Sequence, residues 1–176
     1  MNAYNSDSAS YNRLKKIEAQ QEAQGLSDYI FGKVQPQAFQ LEEAVLGALM
    51  LDKDSFETVN DILQAESFYT EAHQAIYRAI SELIKGFKPV DLLTVTEQLR
   101  KMDAIEIIGG SYHLVELTNR VGSAANIEYH ARIIQQKYIA REKIKASTQT
   151  IREGYDESLD IFDVIEKDAQ RSNNID

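Results

Sequence analysis

The chain has 176 residues, 43% of them hydrophobic, and a formal net charge of -9 at pH 7, which suits one domain with tails. It contains no cysteine, which excludes disulfides, thiolate metal sites and cysteine nucleophiles, and its acidic balance disfavours a general nucleic-acid surface. No apolar run reaches the length of a membrane span, and the polar start lacks the apolar core of a signal peptide, so we expect a cytoplasmic protein.

The N-terminal part of the sequence divides into a polar segment and an apolar one. Residues 1–33 are rich in Ser, Asn and Gln and are predicted to form a flexible tail. The stretch from Leu41 to Asp52 is apolar on nearly every side, which predicts a buried helix in which Gly47 allows a close neighbour. Glu42 and Glu43 are placed in its first turn, where the helix dipole favours negative charge.

Helical spacing of apolar residues predicts four more short helices before residue 122. Asp54, paired with Glu57, is the expected cap of the first of these helices. Thr70 is expected to cap the next, which Gly86 ends, and Asp91 the one after it. The last follows the break at Gly109 and Gly110 and extends from Ser111 to Val121.

The longest helical pattern runs from Ser123 to Arg152 and predicts a helix about 45 Å long. Ser123 with Asn126 is its expected N-terminal cap. Gly154 is its expected end, and Asp160 begins a final helix after a short loop, so the two form an antiparallel hairpin. The predicted fold is all-α, a multi-helix globular head followed by a protruding antiparallel helical hairpin. The predicted parts are a tail (1–33), the head (34–121), the hairpin (122–171) and the start of a linker (172–176).

The sequence carries no motif typical of a catalytic, cofactor-binding or metal site, so none is expected in this chain. There is no phosphate loop of the G-x-x-x-x-G-K-[ST] type and no G-x-S-x-G turn. The carboxylates of Glu42 and Glu43 are explained by their position at a helix start. His73, His113 and His130 follow no zinc-binding spacing, so each is expected to be a helix-surface or packing residue.

The long helix carries a basic face within an acidic chain. From Arg132 to Arg152 it has six basic residues and one acidic residue, Glu142. A solvated helix face explains this pattern, and a surface for an acidic partner or, less readily, DNA is the alternative. The candidate partner-binding residues are Lys137, Arg141 and Lys145.

The same helix also has more apolar residues than a single face accounts for. One stripe consists of Ile127, Ala131, Ile134 and Tyr138, and a neighbouring stripe of Ile133, Ala140, Ile144 and Ile151. One stripe can pack on the final helix, and the other then needs the head or a second subunit. We take Ile127, Ala131, Ile134 and Tyr138 as candidate self-association residues, although a hairpin packed flat on its own head would use both stripes without a dimer.

Five segments between about Pro36 and Ile144 form an ordered set of motifs. They read PQAFQLEEAVLGALMLD, FYTEAHQAIYRAI, KPVDLLTVTEQL, GGSYHLVEL and SAANIEYHARIIQQKYIAREKI. This set resembles the N-terminal domain of bacterial replicative DNA helicases of the DnaB family. A mild departure is Gln35-Pro36-Gln37, where the family usually has Pro-His-Ser.

The resemblance implies a helicase collar domain without the RecA-like ATPase domain. The family's ATP, Mg and motor residues then lie in the missing part, so this chain alone is not expected to be an enzyme, and DNA is contacted mainly through that part. In the family this domain pairs into dimers that build a collar on the hexameric ring, and bacterial primase docks there. A helicase loader is a further candidate partner. The alternative function is a free-standing helical adaptor or regulator that binds the helicase ring.

Overall fold

A computed structural model of the chain describes residues 33–52, 55–121 and 125–175. These ranges contain seven α-helices, one 3-10 turn and no strand, which confirms the predicted all-α fold. The helices are α1 (Phe39–Leu51), α2 (Ser55–Asn60), α3 (Glu71–Lys85), α4 (Leu92–Lys101), α5 (Ser111–Arg120), α6 (Ile127–Gly154) and α7 (Ile161–Asn173), and the 3-10 turn is Ala65–Ser67. The predicted tail up to residue 32 and the predicted caps Asp54 and Ser123 lie outside the described residues.

Helix α1 lies at the centre of the head and packs on α3, α5 and α6. Val45 and Leu46 on this helix are completely buried. A Cβ atom built on Gly47 would lie 2.4 Å from the carbonyl oxygen of Leu117 and 2.4 Å from Cγ2 of Val121. The prediction that Gly47 allows a close neighbour is therefore confirmed, and the neighbour is α5 with the residue that follows it.

The ends of α3, α4 and α7 follow the predicted capping residues. The side chain of Thr70 accepts a hydrogen bond from the backbone N–H of His73, and Gly86 ends α3. Asp91 accepts from two backbone N–H groups at the start of α4, and Asp160 accepts from one at the start of α7. Each cap supplies an acceptor for N–H groups that the helix itself leaves unpaired, which is why these starts are readable from sequence.

Helix α6 has 28 residues, a length of about 42 Å, and belongs to two parts of the structure. Its first turns lie in the core of the head, and its later turns pair with α7 to form the hairpin. Lys143 donates to the backbone carbonyl of Ser172 at 3.3 Å, and Thr150 donates to the carboxylate of Asp168. These pairings run in opposite directions along the two helices, so the hairpin is antiparallel.

An ion pair between Glu153 and Arg171, 2.7 Å apart, links the two arms of the hairpin. Hydrogen bonds from Arg171 and then from Gln149 lower the pKa of Glu153 from its ordinary value of 4.5 to about 2. Because the folded-state pKa lies below the unfolded one, the pair stabilises the hairpin above pH 4.5, and this contribution is lost as the pH falls from 4.5 towards 2.

We therefore expect the Glu153 carboxyl carbon to titrate by NMR with a midpoint near pH 2, and with a higher midpoint, still below 4.5, in the Arg171→Met variant, where Gln149 continues to donate. The methionine keeps the apolar stem of the arginine and removes its donors. The same low midpoint in both proteins would show that Arg171 does not set the pKa of Glu153.

Candidate partner interface on the helical hairpin

The three predicted partner-binding residues differ in their surroundings. The Lys145 side chain is 78% exposed, with Nζ 3.7 Å from the Glu142 carboxylate, and Lys137 is half-buried. Arg141 points into the structure and donates to the backbone carbonyls of Pro36 and Ser67. Its donors are thus used within the chain, and its role in partner binding stays a prediction. Lys137 and Lys145 stay predicted contacts.

Two other residues of the basic face also make contacts within the chain. Arg132 pairs with Glu128 one turn earlier, at 2.7 Å, and Lys143 donates to Ser172 of α7. Arg152 is exposed near the far end of α6. A large part of the basic face is thus explained by contacts within the hairpin and between the hairpin and the head.

The predicted self-association stripe packs against the head of the same chain. Ala131 and Ile134 are completely buried, and Ile127 is 7% exposed. The hydroxyl of Tyr138 accepts a hydrogen bond from Nε2 of Gln64, at 3.0 Å. In the single chain these residues contact the head, the alternative neighbour that the sequence left open, and their role in self-association stays a prediction.

Within the hairpin, exposed apolar residues lie on α7. Phe162 is 77% exposed, Ile165 59% and Ile161 55%, and these residues recur at helical spacing on one side of α7. Val164, 3% exposed, lies on another side and is the buried residue of this helix. The sequence carried a signal for this surface, because α7 has more apolar residues than one contact with α6 needs.

Residues before α7 extend this surface around the end of the hairpin. Tyr155 is 72% exposed, Leu159 38% and Ile151 36%. We call the exposed apolar residues at this end the hairpin-tip patch: Ile151, Tyr155, Leu159, Ile161, Phe162 and Ile165. Large apolar side chains clustered at one surface indicate contact with another macromolecule more strongly than isolated ones do.

A buried polar cluster in the head accounts for the acidic pair near the start of α1. The Glu42 carboxylate accepts hydrogen bonds from the backbone N–H of Tyr69, at 3.0 and 3.1 Å, and lies 2.7 Å from Nδ1 of His73. Glu43 pairs with Arg120 at 2.7 Å. Helix α1 begins at Phe39, earlier than predicted, so that Glu42 but not Glu43 lies in its first turn.

Both carboxylates connect α1 to distant segments of the chain. Their position near the helix start therefore explains only part of their role. His73, 1% exposed, is a packing residue as predicted. Among the described residues no group of three or more His, Asp or Glu could hold a metal ion. In the same residues, no helix has the length and apolar character to span a membrane.

Comparison with known proteins identifies the family. A family model described as the DnaB-like helicase N terminal domain matches residues 34–136, more than half of the chain. The chain belongs to the DnaB-like helicase N-terminal domain family. The crystal structure of the N-terminal domain of DnaB helicase from Mycobacterium tuberculosis matches it with a TM-score of 0.77 and 32% identity, covering 80% of this chain and 99% of that one.

The curated DnaB relatives are longer proteins. Replicative DNA helicase DnaB of Rhodothermus marinus is 45% identical over 136 residues, which are 77% of this chain and 14% of the relative. The Geobacillus stearothermophilus DnaB is 38% identical over 146 residues, 83% of this chain and 32% of the relative. The chain therefore corresponds to the N-terminal domain of replicative DNA helicases and spans about a third or less of these two relatives.

A second solved structure supports the DnaB fold. It is that of a DnaB-like replicative helicase described with its interactions with primase, and it matches with a TM-score of 0.63. It is 21% identical, and the match covers 77% of this chain and 30% of that one. At this identity the likeness concerns the fold.

Proposed function

We propose that this chain is the collar domain of a replicative DNA helicase, which mediates self-association in the helicase ring and docks primase during DNA replication. The single observation that carries the proposal is the hairpin-tip patch, an uncovered apolar surface on a DnaB N-terminal domain. ATP hydrolysis and most DNA contact then belong to the rest of a longer helicase, so the chain acts by binding and not by catalysis. Its place of action is the cytoplasm.

Self-association is supported by the size and position of the patch. Burying an exposed phenylalanine or isoleucine side chain contributes roughly 1.5–3 kcal/mol. A two-fold dimer that brings two patches together would bury each residue twice, once on each chain. Phe162 and Ile165 lie at the outer side of α7, where the hairpin offers no cover of its own. A second copy is therefore the proposed occupant of this surface.

Primase docking is proposed for the exposed part of the basic face, away from the patch. Lys145 extends into solvent, and Lys137 is two turns earlier on α6. Both are long cationic side chains that an acidic partner surface can approach. The DnaB-like helicase described with primase has the same fold over this region, which supports primase as the partner.

We expect the Lys137→Glu, Lys145→Glu double variant to bind primase at least about tenfold more weakly, since two attractive contacts become repulsive. Titration calorimetry or surface plasmon resonance with purified primase measures the change. Lys101→Glu on the head is the control, because Lys101 is 61% exposed and carries the same charge. Unchanged affinity in the double variant would show that the basic face is a solvated surface that does not contact primase. Arg141 is left intact, since its donors bind backbone carbonyls of the same chain.

A further inference from the structure

Arg141 lies where α6 leaves the head, and its guanidinium joins separate parts of the chain. One terminal nitrogen, Nη1, donates to the carbonyl of Pro36 at 2.9 Å, and Nη2 donates to the carbonyl of Ser67 at 2.7 Å. The guanidinium carbon lies 5.5 Å from the ring centre of Tyr69 and 5.8 Å from that of Tyr138. The segment before α1, the 3-10 turn and the residues after it all meet this one side chain.

The character of the contacts changes along α6. Up to Ile134 the helix is held by burial in the apolar core. From Gln135 onward, hydrogen bonds join the helix to the head. Gln135 accepts from the hydroxyl of Ser67 at 2.8 Å, and Tyr138 accepts from Gln64. A polar contact of this kind exchanges with water, so it contributes only about 0.5–1.5 kcal/mol to holding the helix in place.

Beyond Arg141 the helix is held by the other arm of the hairpin. Lys143, Thr150 and Glu153 all contact residues of α7. The far end of α6 at Gly154 is about 20 Å from Arg141 and about 30 Å from Ile134, at 1.5 Å per residue. Arg141 therefore decides how much of the arm is fixed to the head.

We propose that Arg141 is a positioning residue that sets the angle of the hairpin relative to the head. With it in place, bending is confined to the outer part of the arm. Without it, the helix beyond Ile134 is held to the head only by the weaker hydrogen bonds of Gln135 and Tyr138, and the same bending moves the tip further. The hairpin-tip patch lies at the outer end of the hairpin, so Arg141 also sets the position of the patch relative to the head. The importance of that position for assembly rests on the proposed self-association.

The chemistry of the site requires arginine. The two acceptors belong to carbonyls of different segments, and a planar guanidinium presents two donors at fixed separation to them. A lysine keeps the positive charge but offers a single ammonium group, which cannot occupy both positions in the same way. The Arg141→Lys variant thus keeps the positive charge and removes the pair of donors that bridges the two carbonyls.

The test is a distance measurement by electron–electron double resonance, in a chain that has no cysteine of its own. Spin labels are placed at Lys101→Cys on the head and Glu157→Cys near the tip, both exposed positions. Labelled chain is diluted with unlabelled chain so that only distances within one chain are measured. This readout does not depend on whether the chain self-associates.

We expect the distance distribution to become up to about 1.5-fold broader in Arg141→Met and in Arg141→Lys, because the part of α6 that only weak hydrogen bonds hold to the head then begins after Ile134, about 30 Å from the far end of α6 and not about 20 Å. Helical content by circular dichroism should stay unchanged in Arg141→Lys. If Arg141→Met does not fold, the distance distribution of Arg141→Lys alone tests the proposal. Arg132→Met is the matched control, since Arg132 is an exposed arginine of the same helix. Wild-type widths in Arg141→Lys, or equal broadening in Arg132→Met, would overturn the proposal.

Discussion

Aspartate at both Phe162 and Ile165 is expected to convert the self-associating chain into a monomer without loss of helical content. Both side chains are more than half exposed, so the new carboxylates stay solvated in the single chain. In a dimer that covers the patch, each chain would bury two unpaired charges, which costs several kcal/mol. A loss of about 3 kcal/mol already weakens association more than 100-fold.

The control for this variant is Phe87→Asp. Phe87 is 99% exposed but belongs to the turn after α3 on the head, so it removes an equally exposed aromatic residue away from the hairpin. Its backbone φ of +52° also suits aspartate better than phenylalanine. Light scattering coupled to size exclusion should show a smaller mass for the double hairpin variant alone. Equal masses for the three proteins would exclude the hairpin-tip patch as the contact.

The largest effect on stability is expected from Gly47→Ala. The added methyl carbon would lie 2.4 Å from the carbonyl oxygen of Leu117 and from Cγ2 of Val121, and a backbone carbonyl cannot rotate away as a side chain can. Helices α1 and α5 would have to separate at the centre of the core. Overpacking of this kind costs typically 1–3 kcal/mol, so we expect about 3 kcal/mol and a melting temperature roughly 10 °C lower.

Gly154→Ala is the matched control for this substitution. A Cβ on Gly154 would meet nothing within 4 Å, and the residue ends α6. Alanine there is expected to leave stability unchanged or to raise it by up to about 1 kcal/mol, because glycine is a poor helix former. Denaturant unfolding monitored by circular dichroism measures both variants. A Gly47→Ala protein as stable as wild type would contradict the close packing of α1 on α5.

The helices and several of their ends could be predicted because their causes are local. The cap at Thr70 and the stop at Gly86 depend on residues within one turn, and so does the Asp91 cap. Gly47 could also be predicted, since a glycine within an apolar helix indicates a close neighbour. Which helix that neighbour would be was not readable from the sequence.

The candidate site was harder to predict because its residues contact partners that are far away in the sequence. Arg141 and Lys145 look alike as basic residues, but Arg141 meets the carbonyl of Pro36, 105 positions away. The helix dipole at the start of α1 already explained Glu42 locally, so nothing in the sequence indicated its contact with His73. An amphipathic stripe such as the one through Ile134 shows that a helix has a buried side, and only the packing shows that the head of the same chain covers it.

The most direct test of a collar function is the mass of the unmodified chain in solution. Sedimentation equilibrium at high micromolar concentration should give a dimer or a larger assembly of the 20.0 kDa chain. The apparent mass should rise with concentration as the hairpin-tip patches become occupied. A single 20.0 kDa species over the whole range would contradict the account.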